Sequence, residues 1–254
     1  METDEPLERD PHAELLPFQT RHLLGLASAL SLVVFSQWLA HNELPRAFLS
    51  PLLSNPIFYW LGFAVSSLIE ASLLFVSAVT LVWLRRYRHD EFWEPGHSMA
   101  LRGAAVWLFT VLVYCVYRFA LYTPIPRILV IVQIAGAIGF TLWFLWLGLF
   151  GRETKSWRRA YLLLGMAPVL GAAISLANMW SDSGLGPPRS FRLMSLTRAT
   201  VALVQAVGVA VAMIGDVRHK LPRHWSHWIA VIASLTGFSL SAAAYVWESF
   251  LVSR

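Results

Sequence analysis

The residues of this chain that could do chemistry are few, and most lie inside long apolar stretches. Glu70 stands near the centre of one of them, residues 57–84, IFYWLGFAVSSLIEASLLFVSAVTLVWL. A helix of about 20 residues crosses the roughly 30 Å hydrocarbon core of a bilayer, so Glu70 falls near its midplane. A charge there is costly and calls for a partner or a proton. Arg118 shares a helical face with Tyr114 and Tyr122, and Arg198 shares one with Gln205. Tyr245 and Glu248 align with Ser241 near the C-terminus. Residues three, four or seven apart lie on one side of a helix. Glu70, Arg118, Arg198, Gln205, Tyr114, Tyr245 and Glu248 are therefore expected to line an intramembrane polar pocket, open outward and floored by Glu70. Such a pocket would bind or pass a small ion, a proton or a polar solute. The alternative is that two acids and two arginines neutralise each other and only fix helix register.

A second set of candidates lies at the helix ends. His224 and His227 are three apart, with Asp216, Glu91 and Glu94 within conceivable reach. They are weak metal candidates, because no tight ligand motif such as HExxH accompanies them, and no metal is expected. No GxSxG motif occurs and no residue is assigned a catalytic role, so an intramembrane enzyme ranks last. Cys115 stands alone, which excludes an internal disulfide and a Cys-based metal centre. The apolar runs hold no mid-membrane histidine pair to clamp a haem. A covalent retinal of the microbial-rhodopsin kind is not expected either, since residues 234–250 contain no lysine for a Schiff base.

Positioning these groups falls to the apolar blocks themselves. The chain has 254 residues, 57% of them hydrophobic and 14% charged, and a mean hydropathy of +0.56. Soluble domains carry about 25% charged residues, so this is a membrane composition. Seven blocks are long enough to span, near residues 21–40, 57–84, 100–122, 127–150, 159–180, 191–215 and 225–251. They are continuous rather than alternating, which excludes a β-barrel. The expected fold is thus all-α, a polytopic integral membrane protein of seven transmembrane helices. Residues 1–20 form a short acidic tail, and 21–254 a single transmembrane domain. Ala167, Gly171 and Ser175, then Ala202, Ala206 and Ala210, then Ala233, Gly237 and Ser241 make small-residue stripes that predict close packing of the last three spans.

Basic residues set the orientation. Arg85, Arg86, Arg88, Arg102, Arg152, Lys155, Arg158, Arg159, Arg218, Lys220 and Arg223 fall on one side, and only Arg46, Arg127, Arg189 and Arg192 on the other. The positive-inside rule then predicts a cytoplasmic N-terminus and an outside C-terminus, in the inner or plasma membrane if the source is bacterial. The net charge of +5 sits at span ends, so it reads as topology and attraction to anionic lipids at the cytoplasmic face rather than to nucleic acid. Short loops and abundant aromatics also suit a membrane-embedded subunit of a larger complex, touching partner, lipid or quinone.

Overall fold

A computed structural model describes residues 20–41, 56–87, 94–119, 127–181 and 187–251. These residues form seven helices: α1 (Thr20–His41), α2 (Pro56–Tyr87), α3 (Pro95–Phe119), α4 (Arg127–Phe150), α5 (Lys155–Ser181), α6 (Pro187–Arg218) and α7 (Trp225–Leu251). Among the described residues three stretches are long and apolar enough to cross a membrane, Leu61–Arg85, Ser195–Arg218 and Trp225–Trp247. Shorter apolar stretches cover His22–Ser36 and Ile138–Phe150.

The packing has the inside-out character that lipid favours. On α6 the outward side carries Leu203, Val207, Val211 and Ile214, while Ala202, Gln205, Ala206, Ala212 and Asp216 turn inward. Apolar side chains face outward and small or polar ones face the neighbouring helices. Without a hydrophobic drive, close backbone approach holds such helices together. Four members of the small-residue stripes, Ala167, Ala202, Ala206 and Ala233, are buried, whereas Ser241 is exposed. Gly237 meets Ile69 of α2, so that stripe serves α2 as well as the last three helices.

α7 is the hub. It packs against α6 on one side and against α2 and α3 on the other, while α1 leans on α2 and α4 on α5. Met99, Phe144, Trp157, Tyr161, Val209 and Val231 join α3 through α7 in one core cluster. Phe75, Val76, Ala100 and Ala230 join α2, α3 and α7 in another. By contrast α3 and α4, consecutive in sequence, scarcely touch among the described residues.

One helix start differs from the sequence reading and matters below. α3 begins at Pro95, not near residue 100, because proline suits the first helical position, where its missing N–H is no loss. Arg102 therefore lies two turns inside α3, not in the preceding loop with Arg85, Arg86 and Arg88. The basic count still favours the same side.

Candidate functional site

The most elaborate polar arrangement in the described residues is built from two helix starts. Glu94-Pro95-Gly96-His97 opens α3, and His224-Trp225-Ser226-His227 opens α7. In each, the histidine at the third helical position closes a turn, with His97 N–H donating to Glu94 O and His227 N–H to His224 O, both at 3.0 Å. The Glu94 N–H donates back to His97 Nδ1 at 3.2 Å, so His97 does what glutamate does in a capping box. On α7 the cap works forward: the Ser226 N–H donates to His224 Nδ1 at 3.3 Å.

The two starts also cap each other. The Glu94 carboxylate accepts the His224 N–H at 3.0 and 3.2 Å. The Gly96 N–H donates to His227 Nδ1 at 3.1 Å. Such closeness requires glycine, since a Cβ at position 96 would stand 2.5 Å from the His227 carbonyl oxygen. Two positive helix ends thus meet, and the Glu94 carboxylate lies where their dipoles favour an anion.

A hydrogen-bond chain runs through the same place. His97 Nε2 and His224 Nδ1 each lie 2.8 Å from Ser226 Oγ. Because His97 Nδ1 already accepts a backbone N–H, its Nε2 carries the proton and donates to Ser226. The Ser226 hydroxyl then donates to His224 Nδ1. All three histidines accept a backbone N–H at Nδ1, which assigns each the neutral Nε2–H form. Trp83 packs edge-on against His224, with ring centroids 4.7 Å apart.

Next to this knot sits a buried ion pair. α6 ends in a Schellman turn: Lys220 takes φ 50°, in the left-handed region, Leu221 N–H reaches Asp216 O at 3.0 Å, and Lys220 N–H reaches Val217 O at 3.2 Å. The turn sends Arg223 back over the helix end, where its Nε donates to Asp216 Oδ2 at 3.0 Å. Trp157 Nε1 donates to the same oxygen at 2.7 Å, and His227 Nε2 stands 3.5 Å from it. Asp216 is wholly buried at the negative end of a helix, the wrong end for a carboxylate. Its place depends on these donors. Arg223 also reaches Glu153 at 3.5 Å.

Arg223 thus pairs with two carboxylates, Asp216 and Glu153, and its charge also acts on Glu94 without touching it. Burial pushes Glu94 up to about 7, against the opposing pull of the His224 N–H and Arg223. Burial raises Glu153 too, again opposed by Arg223. Burial works against the charge on Arg223, yet its hydrogen bond to Asp216 and the surrounding carboxylates hold it above the usual arginine range. At neutral pH Glu94 is divided between its charged and protonated forms. Among the described residues no group of three or more His, Cys, Asp or Glu is placed to hold a metal ion. The weak candidates His224 and His227 both spend Nδ1 on backbone N–H groups.

The residues expected to line the outward pocket are only partly visible. The side chains of Tyr114, Arg118 and Glu248 lie outside the described residues, as does Glu91. Glu70 is half-buried on α2, beside the Ile69 that meets Gly237 of α7. Arg198 is brought to Tyr245, its guanidinium 5.9 Å from the ring centroid. Gln205 is committed elsewhere: its Nε2 donates to Leu164 O at 3.4 Å. That carbonyl lies four residues before Pro168, inside α5. Proline has no N–H for it, so Gln205 answers an acceptor that Pro168 leaves open.

Sequence reasoning placed Asp216 and Glu94 within reach of the histidine pair and counted His97 among the histidines of the same face, but it did not connect Ser226, Trp157, Glu153 or Arg223 with them. The available signal was the matched pair of helix starts, each with histidine at the third position. No known protein helps to name the site, since no family profile, curated protein or solved structure matches the chain.

Proposed function

We propose that this is a non-enzymatic membrane protein of seven spans, N-terminus cytoplasmic and C-terminus outside, that binds or passes a small ion, most simply a proton. The acidic cluster at Glu94, Glu153 and Asp216 is its inner station. Glu70, with Tyr114, Arg118, Arg198, Gln205, Tyr245 and Glu248, forms the outward pocket. The observation that carries this reading is a helix-end cluster whose one guanidinium is committed to Asp216 and Glu153, so that the buried Glu94 can gain and lose a proton near neutral pH. The positive-inside pattern puts that cluster on the cytoplasmic side. Flux of protons into proteoliposomes tests it: Glu94→Gln and Glu70→Gln should each slow the flux at least tenfold. Absence of flux in the unaltered protein, or flux indifferent to both changes, sinks the reading.

A second reading is favoured by how completely Asp216 is satisfied, with Trp157 and Arg223 both donating to it. Here the charges are structural, and the chain is a membrane subunit whose outer faces meet partner, lipid or quinone. Purification in mild detergent separates the two: a stable partner together with absent flux favours the subunit, whereas a lone chain with flux favours the ion path.

A further inference from the structure

A second charge, half-buried, lies outside the helix-start cluster and is treated quite differently. Arg102 points from α3 into the bundle, its guanidinium carbon 5.3 Å from the Phe144 ring centroid and 6.0 Å from that of Phe238. Phe144 is about two turns from the inner end of α4, and Phe238 is more than three turns into α7. The guanidinium therefore sits well inside the bundle rather than at its end. Its Nη1 is closed off from solvent and has no hydrogen-bond partner among the described residues. Aromatic faces stabilise a cation by roughly 0.5–2 kcal/mol. They do not accept the in-plane N–H groups, and burying those unmet is costly. Among the described residues Arg102 makes no ion pair, and the buried acids at the helix ends are engaged with other groups, Asp216 with Arg223 and Trp157, and Glu94 with His224.

We infer that Arg102, reaching across the loosely packed seam between α3 and α4, holds a phosphate oxyanion, either the headgroup of a phospholipid or free phosphate. The guanidinium edge is shaped for it, because its forked N–H groups match two oxygens of a phosphate at once. The seam supplies the route, since among the described residues α3 and α4 scarcely touch while each packs against other helices. Ser98, one turn before Arg102 and wholly buried, lies on the same side of α3 and adds a polar neighbour. The Tyr161 ring packs on Phe144, 5.7 Å between centroids, as the Arg102 cation also does.

The test uses the full chain in an uncharged detergent and follows its melting temperature against added phosphatidylglycerol, phosphatidylcholine or inorganic phosphate, at matched ionic strength. Phosphatidylglycerol or phosphate should raise the melting temperature, with an affinity at least roughly tenfold weaker in Arg102→Gln. Arg102→Lys should keep part of the affinity, and Arg218→Gln, at the exposed end of α6, all of it. A response to both phospholipids but not to phosphate assigns a lipid headgroup, and a response to phosphate alone assigns the free anion. No response in the unaltered protein, or an equal response in Arg102→Gln, overturns the inference. If Arg102→Gln does not fold, the intact mass of the unaltered protein decides, and a chain carrying neither phospholipid nor phosphate overturns it.

Discussion

Asp216, wholly buried, and Arg102, half-buried, are charges in the same bundle, and they could hardly be handled more differently. Asp216 is met by a guanidinium and an indole at 3.0 and 2.7 Å, with an imidazole nearby. Arg102 is met by two phenylalanine rings and has an unanswered nitrogen. The first arrangement is closed, holding together segments 59 residues apart through the Trp157–Asp216 bond. The second is open: among the described residues its Nη1 has no acceptor. A closed network earns its keep in stability, whereas an open one points to something from outside the chain.

Substitution sharpens the contrast. Asp216→Ala leaves the buried Trp157 without its acceptor and takes from Arg223 the nearer of its two carboxylates. Breaking such a buried pair costs about 3–5 kcal/mol, to be read from unfolding in detergent. A loss below about 1 kcal/mol would put Asp216 in the same class as an exposed ion pair. Glu94 should give the next largest effect, through pH. In the folded chain it keeps its proton up to about pH 7, against 4.5 as the reference value. Between these values the folded state binds more protons than the unfolded one, so stability falls as pH rises from about 4.5 to 7. The fall is on the order of 3 kcal/mol, and Glu94→Gln should abolish it. A pH profile unchanged by that substitution would show that another group titrates. Arg102→Met should have the smallest effect in lipid-free protein, a change within about 1 kcal/mol or a gain, because a half-buried charge with no ion pair among the described residues gives way to a methionine that packs. A loss as large as that of Asp216→Ala would mean that Arg102 is closed after all.

The helical class and the main apolar blocks were legible in the sequence, because a continuous apolar run has one meaning in a membrane. Helix starts were less so. The run near Ala100 hid the true beginning at Pro95, since Gly96, His97 and Ser98 look like loop residues by polarity. They are helical because Pro95 fits the first turn and His97 caps it. The cross-capping of Glu94 with His224, 130 positions apart in sequence, had no local signal at all. Gln205 read as a pocket residue for its polarity, yet its partner was fixed by Pro168 on another helix. Only the register between α5 and α6 reveals that link.

The mutual capping of α3 and α7 has a mechanical consequence. Each helix start supplies an acceptor to the backbone of the other, so neither can slide along its axis without uncovering N–H groups on both. The backbone contact at Gly96 leaves no slack for such a slip. What the joint permits is tilt, with the two helices splaying from a fixed pin at their shared end. Any change in the spacing of α3 and α7 is then smallest at Glu94 and grows with distance along the helices. The joint fixes one end and allows leverage at the other.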